Sequence, residues 1–140
     1  MHVDDRYRDK PSSFKTLREF FEARAFTFIP EGDFQKASRV YQANHFPEVV
    51  IMDILDVDAD GQYSSPGTAI AEFLEETFAS GPEAPCIIFY TGIIDDSHHA
   101  IKAIRKYNFA LPIIRKTALP LDDAKKLYSN FPESLQHPQV

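Results

Sequence analysis

Apolar residues in this chain fall into short runs and helical stripes, and the two kinds alternate. "EVVIMDI" (48–54) and "PCIIFYT" (85–91) are rich in β-branched and aromatic residues and too short for ordinary helices, so both predict buried strands. "AFTFIP" (25–30), closed by Pro30 and Gly32, predicts a third. "MHVDD" at the start and "LPIIRK" (111–116) are weaker first and last strands. Between them the apolar period lengthens. Phe14, Leu17, Phe20 and Phe21 share one helical face after the start signals Pro11, Ser12 and Ser13. Phe34, Ala37, Val40 and Tyr41 repeat the pattern behind Asp33 as N-cap. Ile70, Phe73, Leu74, Thr77 and Phe78 form a third stripe, stopped by Gly81-Pro82, and Ala100, Ile101, Ile104 and Tyr107 a fourth after Ser97. Leu121, Ala124, Leu127, Tyr128 and Phe131 form the last, stopped by Pro132. Five strand–helix alternations imply a mostly parallel sheet with helices on both faces, a three-layer doubly wound α/β fold.

In such folds ligands bind beyond the carboxyl ends of the strands. Those ends carry Asp4-Asp5, Asp53, Thr91-Gly92 and Lys116. The topology would bring three carboxylates, a hydroxyl and an ammonium into one crevice. Crowded carboxylates repel unless a cation sits among them. Hard oxygen ligands with room for water suit Mg²⁺.

Composition narrows the picture. The 140 residues suit one domain, and 44% apolar content supports a core, in which twelve Phe and no Trp predict Phe as the main aromatic. The net charge of −6 argues against nucleic-acid binding, which needs a concentrated basic face. The lone Cys86 excludes an internal disulfide and fits a reducing, cytoplasmic setting; inside "APCIIFY" it reads as a small core residue. "MHVDDRYRDK" is no signal peptide, and no apolar run approaches the roughly 20 residues of a membrane span. The domain is expected over 1–131, with a polar, flexible tail over 132–140.

The pieces "HVDD", "VVIMDI", "IIFYTG" and "IIRK", in this order and each at a strand end, resemble the response-regulator receiver family. The resemblance spans nearly the whole chain. It implies a flavodoxin-like (βα)5 fold, a five-stranded parallel sheet in the order 2-1-3-4-5, and phosphorylation-controlled signalling in a two-component system or phosphorelay. Carried over residue by residue, Asp53 matches the phosphoacceptor, Thr91 the switch hydroxyl and Lys116 the phosphoryl-pairing lysine. The acid pair matches Asp4 and Asp5. Mg²⁺ would be held by Asp5, Asp53 and the Leu55 backbone carbonyl, with Asp4 acting through water. The donor would be a histidine kinase or phosphotransfer protein. A downstream protein would dock on the fourth helix, fifth strand and fifth helix, including Ile101, Arg105 and Tyr107. The protein would not be an enzyme, beyond catalysing its own phosphorylation and dephosphorylation. The resemblance also allows a homodimer.

Other readings compete for the same residues. The first strand is short, the segment from Asp53 to Thr91 is long, and Ile113 stands where the family has an aromatic three residues before the lysine. The proline that usually follows the lysine is replaced by Thr117. These departures support an alternative, a receiver-like interaction module that is never phosphorylated. "DVDADG" (56–61) matches half of a Ca²⁺-binding EF-hand loop, but its twelfth position is Gly67 where a Glu is needed, so a solvated turn fits better. A haloacid-dehalogenase-type phosphatase wants a second acid two positions after the nucleophile, and Leu55 is there. In "DDSHH" (95–99) adjacent His98 and His99 diverge by about 100° on a helix, so a cap reads better than a metal site. Taken singly, Asp4 and Asp5 read as a charged terminus, Asp53 as a strand-end acceptor of loop N–H groups, Thr91 as a helix cap and Lys116 as a surface lysine.

Overall fold

A computed structural model describes residues 1–4, 6–10, 12–32, 48–54, 56–57, 63–64, 86–92 and 112–136. Five parallel strands form one sheet: β1 (His2–Val3), β2 (Pro30–Glu31), β3 (Val49–Met52), β6 (Cys86–Thr91) and β7 (Ile113–Arg115), in the spatial order β2-β1-β3-β6-β7. Numbered among these five alone, that order is 2-1-3-4-5. A separate antiparallel pair, β4 (Asp56–Val57) and β5 (Tyr63–Ser64), follows β3. The described helices are α1 (Arg6–Asp9), α2 (Lys15–Glu22) and α3 (Pro120–Ser129), with a 3-10 turn over Glu133–Leu135. The three predicted helices over 33–41, 70–78 and 100–107 lie outside the described residues, as does the expected docking face at Ile101, Arg105 and Tyr107.

The central strands are apolar on both sides. Val50, Met52, Ile87 and Phe89 are buried on one face of the sheet; Val49, Ile51, Ile88 and Tyr90 are buried on the other. This is why "VVIM" and "CIIFY" read as continuous apolar runs instead of alternating ones. The second face packs on α2 and α3, in one cluster with Phe14, Leu17, Phe20, Phe21, Ala124, Leu127 and Phe131. The Phe131 ring stacks on Phe21 at 5.3 Å between centroids, with the two ring planes nearly parallel.

Two expectations shift. The strand foreseen over 25–30 is confined to Pro30–Glu31. Residues before it close α2, with Phe26 N–H donating to Phe21 O and Ala25 N–H to Glu22 O. That pairing satisfies the helix's last carbonyls. Leu121, expected on the apolar stripe of α3, stands exposed, and Asp123 is buried instead. After Phe131 the chain turns through the 3-10 segment, and the Gln136 amide donates to Phe131 O and Ser129 O.

Candidate functional site at the carboxyl ends of the strands

The short first strand lies between two neighbours. His2 N–H donates to Ile29 O at 2.9 Å and Asp4 N–H to Glu31 O at 3.0 Å on one side. Ile51 N–H donates to Met1 O and Asp53 N–H to Val3 O on the other. The register His2↔Ile51 and Val3↔Met52 therefore sets Asp4 beside Asp53 one step past the ladder. Side chains along a strand alternate between faces. Asp4 follows His2, Asp53 follows Ile51 and Lys116 follows Ile114, each on the row that packs against α2 and α3. The polar cluster is thus the last step of the rows that build the core.

Lys116 Nζ donates to Asp4 Oδ2 at 2.6 Å and to Asp53 Oδ2 at 3.2 Å. Each carboxylate divides its oxygens. Asp4 Oδ1 accepts Arg6 N–H at 3.0 Å, starting α1, and Asp53 Oδ1 accepts Ile54 N–H at 2.8 Å. The reading of Asp53 as an acceptor of loop N–H groups is therefore true of one oxygen, while the other faces the ammonium; Asp4, read singly as part of a charged terminus, divides its oxygens in the same way. Asp4 is fully buried, whereas the Asp53 and Lys116 side chains are each 12% exposed, so the cluster meets solvent at Asp53 and Lys116. Thr91 is buried at the end of β6, and its carbonyl accepts Lys116 N–H at 2.8 Å. Among the described residues, a Cβ at Gly92 would meet nothing within 4 Å.

Lys116 Nζ also lies 5.6 Å from the ring centroids of Phe14 and Tyr90. Beneath the cluster His2 is buried against Phe14, with Nδ1 2.6 Å from the Tyr7 hydroxyl and Nε2 without a hydrogen-bond partner. Burial drives its pKa down to about 3, so the ring is neutral; Asp4 opposes that shift and Lys116 adds to it.

Two of the five side chains expected here, Asp4 and Asp53, are joined by a third, Lys116. Thr91 is tied to Lys116 through the backbone. Asp5 and Leu55 lie outside the described residues. Asp4 Oδ2 and Asp53 Oδ2 converge on the Lys116 ammonium, and carboxylate oxygens are the donor type that Mg²⁺ takes. Among the described residues no three His, Cys, Asp or Glu side chains come together as a metal site. "DVDADG" begins in β4, whose register Asp56↔Ser64 and Val57↔Tyr63 makes a hairpin; residues 58–62 lie outside the described residues. Asp95, His98 and His99 also lie outside them. A cavity of about 370 Å³ opens at the opposite, amino-terminal ends of β1 and β3, among Phe21, Phe26, Phe28, Val49, Ile51 and Phe131. It contains none of the charged cluster.

One polar residue escaped the sequence reading. Asp123, buried in the first turns of α3, accepts the Tyr90 hydroxyl on Oδ2 at 2.6 Å. Thr117 donates twice to it, from N–H to Oδ2 at 2.9 Å and from Oγ1 to Oδ1 at 2.6 Å. Burial alone would raise the Asp123 carboxyl. The bonds from Thr117 and Tyr90, with Lys126 nearby, outweigh it and hold the group below the usual carboxylate value. Acids in the first turn of a helix ordinarily face solvent, so no spacing in the sequence marked this one.

Fold and site together define an α/β protein with a five-stranded, all-parallel sheet and an acid–lysine cluster beyond the carboxyl ends of its strands. The chain is similar in fold to a solved structure described as a yeast Spc42 trimeric coiled-coil segment fused to another solved structure. The TM-score is 0.58 at 17% identity, covering 91% of this chain and 78% of that one, a likeness of fold alone. No family model and no curated protein matches the chain. Among the described residues no helix is long and apolar enough to cross a membrane.

Proposed function

We propose that the protein is a phosphoacceptor receiver of flavodoxin-like fold, phosphorylated on Asp53 and read out through protein contacts. The observation that carries this reading is the Lys116 ammonium between Asp4 Oδ2 and Asp53 Oδ2, at the carboxyl ends of adjacent parallel strands. Phosphoryl transfer asks a protein for positioning and charge neutralisation more than for covalent help. Asp53 Oδ1 is held by the Ile54 N–H, and Oδ2, which accepts from the Lys116 ammonium, would attack phosphorus. The new bond is Asp53 Oδ2–P, and the donor's bond to phosphorus breaks with its electron pair leaving on the donor. Lys116 passes from carboxylate to phosphoryl oxygen and offsets the charge gained there. Asp5, Asp53 and the Leu55 carbonyl would hold Mg²⁺, with Asp4 acting through water, and the ion would supply further charge neutralisation when bound. Thr91, at the end of β6, would hydrogen-bond the new phosphate.

A histidine kinase or phosphotransfer protein is the donor under this reading, and the setting is cytoplasmic. The readout is a shift between two conformations that a downstream partner or a second copy distinguishes.

The test is intact mass after incubation with Mg²⁺ and a small phosphodonor. The expected result is one phosphoryl adduct that requires Mg²⁺ and is absent in Asp53→Asn. A folded protein that takes no phosphoryl group and shows no Mg²⁺-dependent binding of beryllofluoride would overturn it. That result favours the unphosphorylated interaction module, for which Ile113 in place of the family's aromatic is the specific argument.

A further inference from the structure

A lysine side chain is a long, flexible stem, so a position fixed on two carboxylates needs its backbone anchored on both sides. On the strand side the anchor is Lys116 N–H to Thr91 O at 2.8 Å. On the other side it is Thr117, which gives both its N–H and its hydroxyl to Asp123. The Tyr90 hydroxyl bonds the same carboxylate, and the Tyr90 ring lies 5.6 Å from Lys116 Nζ. These contacts close a ring: ammonium, Tyr90 ring, Tyr90 hydroxyl, Asp123 carboxylate, Thr117, and back to Lys116. Tyr90 directly precedes Thr91 and Thr117 directly follows Lys116, so both neighbours of the site meet at one carboxylate on α3.

We propose that Asp123, through Thr117 and Tyr90, is the positioning residue for Lys116 and makes α3 the element that responds to charge at Asp53. The inference rests on the reading of Asp53 and Lys116 as the reactive pair and goes beyond it. It assigns to Tyr90 and Asp123 a link that Ile113 lacks the ring and hydroxyl to make. A tether with a purely structural role would hold α3 down equally whatever the charge on residue 53. A positioning role makes α3 sense that charge, because Lys116 re-centres on Asp4 when Asp53 is neutralised, and Thr117 and Tyr90 carry the displacement to Asp123.

The experiment compares backbone amide shifts in α3, at Ala124 and Leu127, with and without Asp53→Asn. It is run in the native chain and in the Tyr90→Phe and Asp123→Asn backgrounds. The expected result is a clear response in the native chain that falls by half or more in each background. Tyr90→Phe removes one hydroxyl and keeps the ring, so it serves if Asp123→Asn does not fold. An α3 response of equal size in Tyr90→Phe, or no α3 response in the native chain, would overturn the proposal. No phosphoryl transfer is needed for this readout. Absence of both the adduct and Mg²⁺-dependent beryllofluoride binding defeats the phosphoacceptor reading alone, and an unaltered α3 response defeats the positioning role alone.

Discussion

Ala25 holds a φ of 65°, in the left-handed region that costs an L-residue with a Cβ roughly 1–2 kcal/mol. It does so because the closing turn of α2 requires it. The Phe26 N–H must reach back to Phe21 O, and the Phe26 ring then meets Phe21 at 5.9 Å. Glycine would enter this conformation freely, at the cost of a more flexible unfolded chain. Ala25→Gly should therefore gain about 0.5–1 kcal/mol, read as a higher urea midpoint with unchanged slope. His2 gives a residue-scale pH dependence. Its folded pKa is near 3, below the unfolded value of 6.5, so the unfolded chain takes the proton first. The stability this group contributes is complete above about pH 6.5 and is lost as pH falls toward 3, at about 1.4 kcal/mol per unit. Between pH 7.5 and 5.0 the part due to His2 should be about 2 kcal/mol in urea titrations, beside that of the buried Met1 amine, whose pKa is lowered to about 6, and His2→Asn should remove the His2 part. A flat native profile over that window would contradict the buried neutral ring.

At the scale of elements, α2 and α3 were legible because their apolar residues recur at helical spacing with little ambiguity. Phe14, Leu17, Phe20 and Phe21 are buried together with Ala124, Leu127 and Phe131, as their stripes predict. Leu121 and Asp123 show where periodicity stops being informative. Their sites are decided by what faces them, and Asp123 is buried because Tyr90 and Thr117 satisfy it there. The second strand was misplaced for a related reason. "AFTF" has strand composition, but its backbone closes a helix, and Phe26 and Phe28 pack on the core from outside the ladder. The helix pair depends on its aromatic contact. Phe131→Ala removes a buried ring stacked on Phe21 and should cost about 3–4 kcal/mol, measured by chemical denaturation. A loss below 1 kcal/mol would mean that the chain from 132 to 136 closes the gap.

Across the whole molecule, the proposed function carries a linkage prediction. A cation that binds the folded carboxylates and not the unfolded chain stabilises by mass action. Mg²⁺ at ten times its Kd should add about 1.4 kcal/mol, a rise in Tm of about 3–5 °C for a chain of this size. Na⁺ at matched ionic strength should not reproduce the rise, and Asp53→Asn should diminish it. An equal effect of Na⁺ would mean that only the net charge of −6 is being screened.

The sequence by itself determined the buried strands and, among the described residues, the amphipathic helices α2 and α3, and with them a parallel α/β sheet, because apolar period and length reflect burial directly. It also placed Asp4, Asp53, Thr91 and Lys116 at strand ends, because an apolar run that stops on a polar residue marks where the core stops. Only the tertiary structure decided that the Lys116 ammonium sits between Asp4 and Asp53, since that depends on parallel register and on which face each strand end presents. It alone decided that Tyr90 and Thr117 meet at Asp123, because a buried carboxylate is held by partners from distant segments and leaves no periodic trace along the chain.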